Sequence, residues 1–192
     1  MGILSYITAF FPKATKESEI IDKIRKKYKL VEEDKEKGKY FFKIKDHKYL
    51  HVFFSKKDFL SVEFYIGRNL VYEIDKEYMD KIFNLIVKLV DSFKAFWAFG
   101  NIDARDDIDV EEVSRLDSVK LFGGFTYIPD DYLKNISKSK LKNSGADIVR
   151  YLENGVLIIV DKKFPLSCDY SKIDKVADAL GINKRIGGAN EE

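Results

Sequence analysis

The run Lys39-Tyr40-Phe41-Phe42-Lys43-Ile44-Lys45, the pair Asp46-His47, and then Lys48-Tyr49-Leu50-His51-Val52-Phe53-Phe54 set the architecture of this chain. Tyr40, Phe42 and Ile44 alternate with Lys39, Phe41, Lys43 and Lys45, and Leu50, Val52 and Phe54 share one side of the second run. A period of two is the mark of a strand with one buried face, and Asp46-His47 is a plausible two-residue turn between two such strands. Phe59–Ile66 continues the pattern, with Leu60, Val62, Phe64 and Ile66 on one side and Ser61, Glu63 and Tyr65 on the other. These three runs predict an antiparallel meander, and Gly67-Arg68-Asn69 ends it.

Outward from the meander, helical spacing takes over. Met79, Ile82, Phe83, Ile86, Leu89, Val90 and Phe93 recur every three or four residues and predict a long helix over 75–93. Upstream, Thr15 is placed to cap a helix whose apolar stripe is Ile20, Ile21, Ile24 and Tyr28. Residues 32–38 read as a polar loop. Downstream come a strand over Ala95–Ile102 containing Trp97, an acidic loop from Asp103 to Asp107, and a short helix over Asp109–Leu116. Val119–Ile128 is a strand interrupted at Gly123-Gly124, and Pro129 opens a short helix over Asp130–Ile136. Ser137–Ser144 is polar and reads as a loop. Asn154-Gly155 joins two strands as a hairpin, and Ser171 caps a last helix that Gly181 stops. Helices and strands mix without βαβ regularity, so the expected fold is one α+β domain over 1–182, with 183–192 as a flexible tail.

Composition bounds the function. The chain has 192 residues, 34 basic and 32 acidic side chains, 45% hydrophobic residues and one cysteine. A disordered chain and a globally basic nucleic-acid binder are both excluded. Cys168 cannot pair within the chain, which points to a reducing, cytoplasmic setting. The apolar run Ile3–Phe11 lacks a basic leader and closes at Pro12-Lys13, so neither a signal peptide nor a span of about twenty residues is expected. Its role stays open between a buried helix and an exposed patch. Lys and Ile abound and Gln is absent, which suits a hot habitat or an AT-rich gene equally. Charge is segregated along the chain: net +6 over residues 1–60, −6 over 61–136 and +2 over 137–192.

No motif announces catalysis, and no cofactor is expected. His47 and His51 lie roughly 13 Å apart if both sit on a strand, too far to share a metal. Cys168 has no base beside it in sequence, no Gly-x-Ser-x-Gly elbow is present, and Gly123-Gly124-Phe125-Thr126 makes no phosphate loop. Asp103, Asp106, Asp107, Asp109, Glu111 and Glu112 lack the glycine and glutamate of a Ca²⁺ loop. They read as the capped start of a helix, or as an acidic surface that meets a basic partner. Phe41, Lys43, Lys45 and Tyr49 fall on the non-core side of the meander, where lysines among aromatics could stack and neutralise a single-stranded nucleic acid.

From Leu60 onward the arrangement resembles the immunity proteins of bacterial polymorphic toxin systems, notably the family numbered fifty-two. The matching features are Leu60–Ile66, Asp75–Phe93, the Phe96-Trp97-Ala98 strand and Gly124-Phe125-Thr126-Tyr127-Ile128-Pro129. Gly155-Val156-Leu157-Ile158, Phe164-Pro165 and the Ser171–Leu180 helix complete them. The resemblance spans residues 60–182 and implies a non-enzymatic α+β protein that binds and blocks a cognate toxin. It would also give Asp103–Glu112 a purpose, because such proteins often cover basic nuclease sites with acidic patches.

Overall fold

The structure, a computed structural model, describes residues 4–45, 48–56, 60–67, 76–102, 121–164, 169–182 and 184–185. Asp46-His47, the acidic segment from Asp103 to Glu112 with its expected helix, Cys168 and the last seven residues lie outside them. The expected α+β class holds. Nine of the described strands form one antiparallel sheet, and five helices pack against it.

In chain order the elements are β1 (Leu4–Phe11), α1 (Glu17–Arg25), β2 (Lys29–Asp34), β3 (Lys39–Lys45), β4 (Lys48–Lys56), β5 (Leu60–Gly67) and α2 (Lys76–Ser92). There follow β6 (Trp97–Ile102), β7 (Leu121–Phe122), β8 (Phe125–Pro129), α3 (Asp130–Leu133), α4 (Lys138–Lys142), β9 (Ile148–Tyr151), β10 (Gly155–Ile159), α5 (Tyr170–Leu180) and β11 (Lys184–Arg185). The sheet runs β2-β3-β4-β5-β1-β6-β8-β10-β9, while β7 and β11 make a separate parallel pair.

The meander and the long helix stand where alternation and helical spacing put them. The N-terminal apolar run is neither a helix nor an exposed patch. It is β1, the middle strand, paired to β5 on one side and β6 on the other. Tyr6 through Phe11 are all buried, which is what an unbroken apolar run means when both faces of a strand are covered. Where β1 meets β6, Gly100 lies opposite Ile7, and a Cβ there would stand 2.7 Å from Ile7 Cγ1 and 2.8 Å from the Tyr6 carbonyl oxygen.

Four further boundaries differ from expectation. Residues 32–34 belong to β2, an edge strand whose charged side chains face solvent, so its polarity masked the pairing with β3. The turn after it is closed by Gly38 at φ +62°, packed so tightly that a Cβ would stand 2.7 Å from the Phe54 carbonyl oxygen. Thr15 sits in a turn closed by its N–H to the Pro12 carbonyl, so Lys16 occupies the cap position and α1 starts one residue later. Ser137–Ser144 contains α4, capped by the Ser137 hydroxyl, and α5 is capped by Asp169 rather than Ser171, whose hydroxyl donates to that carboxylate.

Two cores lie on opposite faces of the sheet. Ile7, Ala9, Phe11, Phe42, Leu50, Val52, Leu60, Val62 and Phe64 face α1 and α2. On the other face Phe10, Trp97, Phe99, Ile128, Val156 and Ile158 take Ile136, Leu141, Ile173, Val176 and Leu180 from the α3–α5 side. The Tyr40 hydroxyl donates to Glu17 at 2.6 Å and ties α1 to β3.

A candidate interaction face on the meander

The α3–α5 cover is built over β6, β8, β10 and one side of β1. Beyond it, the same face of β3, β4 and β5 carries Phe41, His51 and Phe53, which belong to neither core and are half-buried. Register sets them in two rungs. One runs Glu32, Phe41, His51, Tyr65, Tyr6, and the other runs Lys39, Phe53, Glu63, Thr8. A third, shorter rung pairs Lys43 with Tyr49, which is 38% exposed.

The rings lock edge to face. Phe41 meets His51 at 4.6 Å between centroids and 62°, and Phe53 at 6.3 Å and 74°. Phe53 meets Tyr65 at 5.0 Å and 79°, and Tyr65 meets Tyr6 at 6.4 Å. Tyr6 continues to Phe99 in the second core, so one aromatic chain passes from the half-buried face into the buried one. Such edge-to-face pairs add roughly 0.5–1.5 kcal/mol each beyond burial and hold the rings in fixed orientations. The Lys39 ammonium sits over the Phe53 ring, 5.3 Å from its centroid.

Two polar groups lie among these rings. Burial holds His51 below its ordinary pKa, against an opposing pull from Glu32. The Tyr65 hydroxyl donates to Glu63 Oε2 at 2.8 Å. Burial first, and then that carboxylate, push the Tyr65 phenol up to about 12.

Of the residues expected to form a nucleic-acid surface, Phe41, Lys43 and Tyr49 share this face and Lys45 does not. The ladder slips between Lys43 and Lys45, and the bulge turns Lys45 toward α2, where its ammonium pairs with Glu77 at 2.9 Å. Lys45 and Lys81 together hold the Glu77 carboxyl at about 2. Glu63 was missed as a site residue because a single acid in an alternating strand looks like ordinary solvent-facing polarity. Its signal was positional, since it shares the Ser61/Glu63/Tyr65 side of β5. Among the described residues no group of three or more His, Cys, Asp or Glu side chains is placed to hold a metal. No described helix is long and apolar enough to cross a membrane.

Comparison with known proteins leaves the family open. No protein-family model matches the chain, and no curated protein matches it in sequence. Among solved structures it is similar to the T6SS protein PA0821 of Pseudomonas aeruginosa, with a TM-score of 0.52 and 9% identity. The match covers 98% of this chain and 77% of that one, a likeness of fold.

Proposed function

We propose that this chain is a non-enzymatic protein-interaction module of the immunity type, which binds and blocks a partner protein through the β3–β4–β5 face. The observation that carries this reading is the aromatic chain that leaves the second core and runs out across a face belonging to neither core. Aromatic side chains at the centre with charged ones at the margin are the usual anatomy of a protein-binding patch. Here Lys29, Glu32, Lys39 and Lys43 border Phe41, Phe53 and Tyr65. The likeness of fold to a protein named for T6SS is consistent with an effector-and-immunity setting.

The single-stranded nucleic-acid reading has less support. Stacking a base needs an open ring face. Phe53 has Lys39 over its face and Phe41 and Tyr65 against its ring, Lys45 is turned away, and Glu63 adds negative charge where a phosphate would pass. The acidic stretch Asp103–Glu112 remains a second contact candidate for a basic partner.

The test is co-expression with the products of the flanking open reading frames, followed by capture. A stoichiometric partner should be retained by the wild type and weakened roughly tenfold or more by Phe41→Ala/Tyr49→Ala, with the melting temperature checked. A partner that binds the double variant unchanged, or no flanking product captured at all, would overturn the reading.

A further inference from the structure

Among the described residues Glu63 has one hydrogen-bond partner and no ion pair: its carboxylate takes the Tyr65 hydroxyl on Oε2. Glu17 likewise holds only a tyrosine hydroxyl, that of Tyr40, whereas Glu33 pairs with Arg25 and Lys35, and Glu77 with Lys45 and Lys81. The lysine of the same rung, Lys39, is placed over the Phe53 ring. Glu63 stands half-buried between Phe53 on β4 and Thr8 on β1, with the Tyr65 ring beside it. A partner that covers this face buries the carboxylate, a buried carboxylate needs a compensating cation, and one accepted hydrogen bond leaves most of its capacity unused.

We propose that Glu63, with the rings of Phe53 and Tyr65, is the seat of an arginine side chain presented by the partner, an inference that rests on the face being the docking surface. The chemistry favours guanidinium over ammonium. A guanidinium is planar and weakly hydrated, bonds a carboxylate through two parallel N–H donors, and packs beside aromatic rings without needing the Phe53 face that Lys39 covers. An ammonium is a compact, strongly hydrated point charge and uses the rings less well. The Tyr65 hydroxyl takes one acceptor site of Oε2 and leaves Oε1 and the second Oε2 site to the incoming fork. Arginine is also among the residues that most often dominate interface energetics, so one such contact could set both register and specificity.

The probe is N-acetyl-L-arginine amide, titrated into the full chain and followed by NMR at the Phe53 and Tyr65 ring protons. N-acetyl-L-lysine amide and the uncharged N-acetyl-L-citrulline amide serve as comparators. Arginine amide should shift both rings saturably, citrulline amide should not, and Glu63→Gln should weaken arginine amide about fivefold, the size of a partly exposed ion pair. The Gln variant keeps an oxygen for the Tyr65 hydroxyl, and its melting temperature checks that the sheet is intact. No ring shifts with arginine amide, equal binding of lysine amide, or no change on Glu63→Gln would each overturn the assignment. A partner captured by the wild type and released by Phe41→Ala/Tyr49→Ala, but indifferent to Glu63→Gln, would leave the docking face standing and remove the arginine. Failure of partner capture with a positive titration would do the reverse.

Discussion

Replacing Asp91 with alanine should detach the β9–β10 turn from α2. Both carboxylate oxygens are committed to that turn: Oδ1 accepts the Asn154 N–H at 2.9 Å and Oδ2 the Glu153 N–H at 3.2 Å. In return the Asn154 side-chain amide donates to the Asp91 carbonyl at 3.2 Å. A hydrogen bond to a charged acceptor contributes about 1.5 kcal/mol or more when its donor is shielded, which describes Asn154. The Glu153 amide is exposed, so water replaces the lost oxygen there and the loss is nearer about 0.5 kcal/mol. The total is about 2 kcal/mol. The loss has a ceiling, because the Asn154 carbonyl is still held by the Tyr127 hydroxyl and the Asp130 N–H, each at 3.0 Å. For a chain of this length that corresponds to a fall in melting temperature of about 4–8 °C. Urea unfolding followed by far-UV circular dichroism measures the free energy directly. Asp91→Asn keeps one acceptor oxygen and should lose about half as much. The reasoning is refuted if Asp91→Ala costs under about 0.5 kcal/mol, or if the asparagine variant is as damaged as the alanine one.

Three further outcomes are expected. Gly100→Ala should cost about 2–3 kcal/mol in urea unfolding, because the new methyl would overlap Ile7 and the Tyr6 carbonyl in the middle of the sheet; a loss below about 0.5 kcal/mol would mean β1 and β6 can separate freely. Tyr40 and Tyr65 are both pushed up to about 12, by burial first and then by Glu17 and Glu63, so their folded values lie above the ordinary 10. Their stabilisation is complete below pH 10 and is lost as the pH rises through about 12. The wild type should therefore lose ground to Tyr40→Phe between about pH 10 and about pH 12, and a difference that stays flat would contradict the Tyr40–Glu17 contact. Fluorescence anisotropy of a labelled single-stranded oligonucleotide should stay flat at low salt; a rise that disappears with salt and weakens on Phe41→Ala would restore the nucleic-acid reading.

Strands with strict alternation were legible residue by residue. Tyr40/Phe42, Leu50/Val52/Phe54 and Leu60/Val62/Phe64 face α1 and α2 as their period of two requires, and the spacing from Met79 to Phe93 is that of α2. Two kinds of element escaped. The run Ile3–Phe11 has no period, and an apolar run of that length is equally compatible with a buried helix and a buried strand; pairing to β5 and β6 decides it. β2 is polar at four of its six positions because it lies at the edge, where backbone pairing needs no apolar side chain. At the site, Phe41, Lys43 and Tyr49 could be assigned to one face from the alternation alone. Lys45 could not, because a bulge is set by how a turn closes and reverses the side of every residue after it.

The contrast between strands explains why the face lies open where it does. Gly155-Val156-Leu157-Ile158-Ile159 on β10 and Phe125-Thr126-Tyr127-Ile128 on β8 are apolar or buried at successive positions, and each strand contributes to both cores. β3, β4 and β5 instead give aliphatic and aromatic residues to α1 and α2, and place Lys39, Phe41, His51, Phe53, Glu63 and Tyr65 on the reverse. The permanently covered face is built mostly from aliphatic side chains such as Ile128, Val156 and Ile158. Aromatic rings interleaved with one histidine, one glutamate and lysines tolerate water and still release substantial free energy when water leaves, the requirement on a surface that alternates between free and bound. On the proposed reading, the change from continuous runs to alternation along the sheet separates the half that holds the fold from the half that would meet a partner. Exchanging Phe41 and Phe53 for threonine should then abolish capture while the chain stays folded, at a cost of about 1.5–4.5 kcal/mol for the three lost ring pairs, whereas Ile128→Thr or Ile158→Thr should lower stability while the protein that remains folded still captures the partner.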